Sequence, residues 1–269
     1  MLATALTALL LSAAPQLEAG VSAGAGYDSD LNHADPSVAA VGAGFGALKA
    51  NGGASVDLGD STNLYGGLRF DGETYPSYPD LSTGALGAEL SLAQQLGDRT
   101  AIVLTPWVAQ GWSGDPSRNA TTLAGQATLR WKPLRDLTLR GFYGYTNRGA
   151  DDPVFSSVKN RVGAGVEWRL LSRTYLSLAG YVERGDEVFY RATSSGSGGY
   201  GMLGMRSASF GQGEEPYRVA ATTQAVSPAL ELGLGDAFHL LASFEARHVA
   251  SRTASFDTYS LFLGLGARL

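Results

Sequence analysis

The sequence has no cysteine and only three histidines, and both shortages narrow the possible functions. The absence of cysteine suits an oxidising compartment in which no disulfide is formed. A net charge of −5 leaves no general basic surface, so nucleic acid is not expected as a partner. Beyond residue 14 no apolar run reaches the length of a transmembrane helix. A membrane form of this protein must therefore cross the bilayer as a β-barrel.

The one apolar run lies at the N-terminus, in residues 1–14, and its core covers about ten residues. This is too short for a membrane span and is typical of a signal-peptide core, followed by small residues suited to cleavage. The alternative is a buried N-terminal helix, which the strand-like pattern of the following sequence disfavours. We predict a signal peptide over residues 1–16 and a single transmembrane β-barrel domain over residues 17–269.

Period-two alternation is the main pattern in the rest of the chain. In residues 259–269, one face carries Leu261 and Leu263, and the opposite face carries Gly264 and Gly266. The same alternation of apolar residues with small or polar ones recurs in nearly every segment. It predicts β-strands with one apolar face.

Short turns recur at nearly regular intervals and divide the chain into pairs of strands. They begin at Leu58, Leu96, Leu134, Leu171 and Leu234, and the first four of these leucines follow one another at steps of 38, 38 and 37 residues. Longer polar connections lie between the turns. Short periplasmic turns that alternate with long extracellular loops are typical of an all-β transmembrane barrel, antiparallel and up-and-down, here with about twelve strands.

The predicted strands cover residues 17–27, 38–58, 63–73, 81–96, 101–112, 121–134, 137–147, 158–171, 174–190, 218–234, 237–249 and 258–269. Trp131 and Trp168 each precede a short turn, where a periplasmic aromatic girdle is expected. Pro106 and Pro228 fall inside predicted strands, and we expect bulges or strand ends there.

The terminal strand, which ends at Leu269, resembles the signal that bacterial outer-membrane proteins present to their assembly machinery. The usual last residue is Phe or Trp, and Leu stands there in this chain. The first hairpin, Gly26-Tyr27-Asp28-Ser29-Asp30-Leu31-Asn32, resembles the opening of several outer-membrane barrels, including the barrel domain of the surface lipoprotein assembly modifiers. These resemblances imply a porin-like barrel in the bacterial outer membrane, with membrane lipid and the assembly machinery as partners.

Two short motifs have ordinary explanations. Residues 42–47 formally match a dinucleotide-binding glycine pattern, but these glycines continue into a strand and not into the helix that such a site requires. Asp28, Asp30 and Asn32 match the start of a calcium loop, whose later positions are not met. Together with Asp35 they either hold a cation at the barrel mouth or form a solvated turn. No cofactor and no metal are predicted.

An outer-membrane hydrolase would need a nucleophile and a base on neighbouring strands. His248, Ser251 and Asp257 form the only local grouping of suitable residues, and their spacing follows no known signature. The chain is therefore not expected to be an enzyme.

The charged residues of the strands share the parity opposite to the apolar face, because a charge that faced lipid would cost several kcal/mol. The predicted lumen residues are Arg69, Arg130, Lys132, Arg140, Arg161, Glu167, Arg169, Glu245 and Arg247. Two interpretations stay open for them. The basic members form either a ladder that selects anions, or part of a network of mutually neutralising ion pairs that braces the barrel.

The leading functional hypothesis is a passive pore for small polar or anionic solutes. The alternative is a non-conducting barrel with a structural, adhesive or export-accessory role, and a hydrolase is third. The loop of residues 191–217, rich in glycine and serine, either folds into the lumen or stays outside it.

Overall fold

The computed structural model describes residues 15–192, 210 and 214–268, and these residues form twelve β-strands, which confirms the predicted number. The strands are β1 (Gln16–Asp28), β2 (Ala43–Asp57), β3 (Thr62–Thr74), β4 (Thr83–Gly97), β5 (Thr100–Ser113), β6 (Ala120–Leu134), β7 (Leu137–Ala150), β8 (Ser157–Leu171), β9 (Thr174–Ala192), β10 (Glu214–Gly233), β11 (Phe238–Ser251) and β12 (Ser255–Arg268). Single turns of 3-10 helix at Pro79–Leu81, Pro116–Arg118 and Pro153–Phe155 precede β4, β6 and β8. Residues 1–14 of the predicted signal peptide lie outside the described residues, as does Leu269.

The strands close into one barrel. Each strand is antiparallel to its neighbours in sequence, and β1 pairs with β12 from Gly20 opposite Arg268 to Asp28 opposite Ser260. A closed sheet has no edge, so its backbone groups can be hydrogen-bonded within the protein while lipid surrounds it. Among the described residues, no helix is long and apolar enough to span a membrane.

The outer surface is apolar. Outward-facing leucines are largely uncovered, with Leu68 60% and Leu263 62% exposed. Trp131 and Trp168 also face outward, close to short turns, as the aromatic girdle requires. In water such an apolar surface would promote aggregation, whereas the lipid chains of a bilayer solvate it. A closed antiparallel barrel with this surface is a protein of the bacterial outer membrane.

The two ends of the barrel differ. At one end, called here the turn end, four or fewer residues join consecutive strands, and Gly59 (φ +132°) and Gly235 (φ +145°) supply backbone conformations that other residues rarely adopt. At the other, the loop end, lie the longer connections, including residues 29–42 and residues 193–213. The connection between β11 and β12 is an exception at the loop end, because only residues 252–254 join these strands, where the predicted strands leave residues 250–257 as a longer connection.

The predicted bulges or strand ends at the two prolines are wrong. In the β4–β5 ladder, pairing stops at Glu89–Trp107 and resumes at Leu92–Leu104 in the same register, so Pro106 lies inside a regular strand. Pro228 is accommodated in the same way within β10. Successive N–H groups of a strand point to alternate neighbours, so a proline removes a donor from only one of its two ladders. The observed register shifts lie beside turns, at Gln95–Gly97, Trp131–Leu134 and Arg169–Leu171.

Strand boundaries differ most at the loop end. β2 begins at Ala43 and not near residue 38, because residues 29–42 leave the sheet. β9 and β10 pair as far as Ala192 and Glu214, so both flanks of the predicted loop 191–217 are strand. These extensions carry the barrel wall into the mouth, where the loops pack.

Candidate functional site in the barrel lumen

Strand alternation places the predicted lumen residues inside the barrel, opposite to the exposed leucines, valines and tryptophans of the same strands. The residues in question are Arg69, Arg130, Lys132, Arg140, Arg161, Glu167, Arg169, Glu245 and Arg247. Their side chains divide into a paired group and an unpaired group. The paired group fits the ion-pair interpretation, and the unpaired group fits the anion-selecting one.

The largest paired group lies where β8 faces β9. Arg161 and Glu183 are direct cross-strand partners, with Nη2 of Arg161 2.7 Å from Oε2 of Glu183. Lys159 bridges Glu183 at 3.4 Å and Glu187 at 2.6 Å. The Arg161 guanidinium also lies over the ring of Tyr181, 4.2 Å from its centroid. The two acids balance the two bases of this group.

A second group occupies the wall formed by β10, β11, β12 and β1. Nε of Arg247 lies 3.2 Å from Glu245, and its Nη2 lies 3.6 Å from Asp28. Glu245 also accepts hydrogen bonds from the hydroxyls of Ser227 at 2.6 Å and Tyr181 at 3.4 Å. Tyr181 thereby connects the two groups across the lumen wall.

Two further arginines are neutralised locally. Arg69 donates to Oδ2 of Asp71 through Nε at 2.9 Å and Nη2 at 2.8 Å, and its guanidinium covers the ring of Trp107. Arg169 pairs with Asp136 in the adjacent turn. With Arg161, Arg169 therefore belongs to the ion-pair interpretation and not to a free basic ladder.

Three lumen cations are different. Among the described residues, the side chains of Arg130, Lys132 and Arg140 make no ion pair and no hydrogen bond. Arg130 lies directly opposite Arg140 in the β6–β7 ladder, an arrangement of like charges that disfavours folding unless water or anions screen it. Nε of Arg140 lies 3.0 Å from where a Cβ on Gly165 would be, so glycine there makes room for the guanidinium. Glu167 is likewise unpaired within the described part of the chain.

The loop end is narrowed by residues 29–42, which reach across the mouth from β1 to β9. Ala34 forms an isolated bridge with Tyr190, and the fully buried Asn32 donates from Nδ2 to Glu214 at 3.2 Å. His33, at φ +43°, contacts Glu187 through Nδ1 at 3.2 Å and stacks on Phe256 with ring centroids 5.1 Å apart. No feature of the sequence pattern indicates this inward path.

Tyr190 lies at the mouth and contacts residues of two different connections. It is 3% exposed, receives a hydrogen bond from Arg118 of the β5–β6 connection, and packs edge-on against Phe210 at 4.8 Å. Phe210 in turn contacts Tyr78 of the β3–β4 connection at 5.7 Å. Because β5 and β9 lie four strands apart in the barrel, these contacts cross the opening. The sequence offered one unused signal, namely the consecutive aromatics Phe189 and Tyr190, which break the alternation expected in lipid.

The candidate cation ligands serve the first loop instead. Asp28 accepts from the N–H of Asp30 at 3.0 Å, and Asp30 accepts from the N–H of Ala34 at 3.2 Å. Asp35 accepts from the N–H of Ser37 at 2.6 Å. Burial raises the pKa of Asp30, partly offset by its backbone hydrogen bond. In the described ranges, no three His, Cys, Asp or Glu side chains come together as a metal site.

The residues considered for hydrolysis do not form a nucleophile–base pair. Nδ1 of His248 contacts Asp257 at 2.7 Å on the outward side of β11 and β12. Oγ of Ser251 is engaged with the carbonyl of Ala254 at 2.9 Å and the hydroxyl of Thr253 at 3.2 Å. This is the arrangement of a turn that joins two strands, where the hydroxyl fixes the backbone.

No protein-family model and no curated protein matches the sequence. Among solved structures, an outer membrane channel from Pseudomonas putida F1 superposes with a TM-score of 0.56 at 11% identity, over 94% of this chain and 95% of that chain. The NanC porin superposes with a TM-score of 0.52 at 14% identity, over 93% of this chain and 100% of that one. These similarities establish a shared barrel fold along nearly the whole described chain.

Proposed function

We propose that this protein is an outer-membrane channel for small polar or anionic solutes. The observation that carries the proposal is the facing pair Arg130 and Arg140, which make no ion pair among the described residues. Two unpaired guanidinium groups on one inner wall attract anions and repel cations, as rings of arginine or lysine do in anion pores. The shared fold with a porin and an outer membrane channel supports a channel role at this general level.

The test is the reversal potential of the refolded barrel in a planar bilayer under a potassium chloride gradient. We expect discrete conductance steps with chloride preferred over potassium. Replacing both residues (Arg130→Glu and Arg140→Glu) should reverse that preference, because the pair then carries two negative charges. A conducting double variant with unchanged anion preference would refute the role of the pair.

Arg169→Gln combined with Asp136→Asn is the matched control. Arg169 is also a lumen arginine of the turn half, but Asp136 neutralises it, so the double replacement leaves the net charge unchanged. It should alter the reversal potential much less than replacement of Arg140. An equal effect would refute the special role of the unpaired arginines.

A second candidate is a barrel that does not conduct at rest and acts through its loops. The contacts around Tyr190 favour it, because they join connections from opposite sides of the mouth. A folded, silent wild-type barrel that conducts once residues 31–41 are shortened to a tight turn would support this candidate. A wild-type barrel that conducts continuously would exclude it.

A further inference from the structure

A recess in the inner wall differs from the rest of the lumen. It has a volume of about 330 Å³ and lies on β3 to β7, toward the loop end. Its base consists of small side chains on three adjacent strands: Ala85, Gly87, Ala109, Gly111, Ala120 and Thr122. The cross-strand pairs Gly87–Ala109 and Gly111–Ala120 place these small residues side by side, so no side chain fills the space above them.

The rim of the recess is cationic. Three guanidinium groups, from Arg69, Arg118 and Arg148, line it together with a single carboxylate, from Asp71. Arg118 is also approached from outside the recess by Asp115, at 3.7 Å. An anion that enters the recess therefore meets an excess of positive charge.

The rim is also held in place before any ligand arrives. Arg148 donates to the carbonyl oxygens of Phe155 and Arg118, each at 2.6 Å, and the Arg118 guanidinium lies 4.5 Å from the centroid of the Phe155 ring. These contacts fix both guanidinium groups at the rim, which lowers the ordering cost of binding an anion there.

The base and one wall are apolar. Methyl groups and bare backbone form the base, and the indole of Trp107, packed against Arg69 at 5.0 Å, forms the wall. A site of this size with an apolar lining and a few convergent polar groups is typical of small-molecule recognition. The apolar part favours a ring without many hydroxyl groups. Asp71 disfavours a dianion such as phosphate more than a monoanion, because repulsion grows with ligand charge.

We propose that this recess binds small monocarboxylates that carry an apolar ring. The carboxylate would lie against the guanidinium rim, whose excess positive charge attracts it, and the ring would lie on the small-residue base beside Trp107. The proposal rests on the proposed channel function, since the recess opens into the same lumen, and it names the class of solute.

The test is calorimetric titration of the refolded barrel in detergent with benzoate. Acetate, which lacks the ring, and benzyl alcohol, which lacks the charge, should each bind at least about tenfold more weakly than benzoate. Equal heats and affinities for benzoate and acetate would overturn the apolar half of the proposal. Equal affinities for benzoate and benzyl alcohol would overturn the ionic half.

Two pairs of variants locate the site. Ala109→Leu fills the recess and should abolish benzoate binding, whereas Val108→Leu, which faces lipid on the same strand, should leave it unchanged. Arg69→Gln should weaken binding about tenfold, and Arg173→Gln, in the turn between β8 and β9 and outside the recess, should not. Each variant is first checked for folding by its heat-dependent shift on a gel. Unchanged affinity in a folded Ala109→Leu variant refutes the site.

The bilayer and calorimetric experiments separate the two proposals. Anion-selective conductance without benzoate binding would leave the channel and exclude the recess as a ligand site. Benzoate binding to a folded barrel that never conducts would leave the site and exclude the channel.

Discussion

Phe189→Ala provides the sharpest test of the packing at the loop end. Phe189 lies near the end of β9 and is 0% exposed. Its ring lies 5.8 Å from that of Tyr217 and meets Phe256 edge-on at 5.2 Å. Val249 and Ala254 complete this apolar cluster. Phe256 also carries the stacked ring of His33, so the cluster supports the loop that crosses the mouth.

The expected loss is about 3–5 kcal/mol in the free energy of unfolding, the usual range for a buried phenylalanine replaced by alanine. The two ring contacts contribute beyond buried area, about 0.5–1.5 kcal/mol each. The surrounding strands are fixed by the barrel register and cannot close around the vacated space. We therefore expect a value in the upper half of the range for Phe189→Ala, and less than about 1.5 kcal/mol for Phe189→Leu, which keeps most of the volume.

The assay is urea unfolding in lipid vesicles, followed by tryptophan fluorescence. Phe244→Ala is the matched control, since Phe244 faces outward from β11 and its removal leaves no enclosed cavity. We expect it to cost about 1–2 kcal/mol, through lost apolar contact and the lost stacking on Tyr259. A Phe189→Ala variant no less stable than the Phe244→Ala variant would refute the buried cluster as the support of the mouth.

Three other changes test separate features. Glu183→Gln removes the partner of Arg161, and because the Arg161 side chain is 44% exposed, the free energy of unfolding should fall by only about 1–2 kcal/mol. Glu215→Gln, at an exposed pair, should lower it by less than about 1 kcal/mol. A larger loss for Glu215→Gln than for Glu183→Gln would contradict the lumen pairing. Pro106→Val restores a backbone N–H donor to the strand without changing the register, and it should stabilise the barrel by about 1 kcal/mol in the same assay. Destabilisation would mean that the barrel requires the break in the β4–β5 ladder. Burial raises the pKa of Asp30, so the stability that its protonated carboxyl contributes is lost as pH rises through that pKa. Asp30→Asn should therefore increase the melting temperature more at pH 8 than at pH 4. An equal increase at both pH values would exclude a buried charge on Asp30 as the cause of the increase.

The fold could be predicted from the sequence because a bilayer imposes a simple rule. Each residue of a membrane-spanning strand faces either lipid or the lumen, and the alternation of apolar with polar or small residues shows which side it faces. Leu261 and Leu263 on β12, for example, face lipid. The rule weakens where strands leave the lipid. Phe189 and Tyr190 are consecutive and both buried, so parity carries no information there, and β9 and β10 extend beyond their predicted ends.

The pairing of lumen charges could not be predicted, because it depends on the register between strands. Parity placed Arg140 and Arg161 on the inner face equally well. Only the register shows that Arg161 faces Glu183 whereas Arg140 faces Arg130. Shifts beside the turns, such as the one at Arg169–Leu171, alter that register by an amount that the turn sequence does not reveal. The recess escaped prediction for a related reason, since its small residues come from three strands.

The two ends of the lumen differ in how their polar and charged side chains are paired. At the loop end, buried aromatics, backbone hydrogen bonds and ion pairs hold the connections together, and Arg118 of the β5–β6 connection bonds to Tyr190 of β9. Toward the turn end, Arg130 and Arg140 face each other without a partner in the described chain, which is tolerable only where water or anions reach them. In a conducting barrel, the mouth would therefore control how much passes and the arginine pair would control which charge passes. Because the two features share no contacts, variants at the two ends should combine additively in conductance and selectivity.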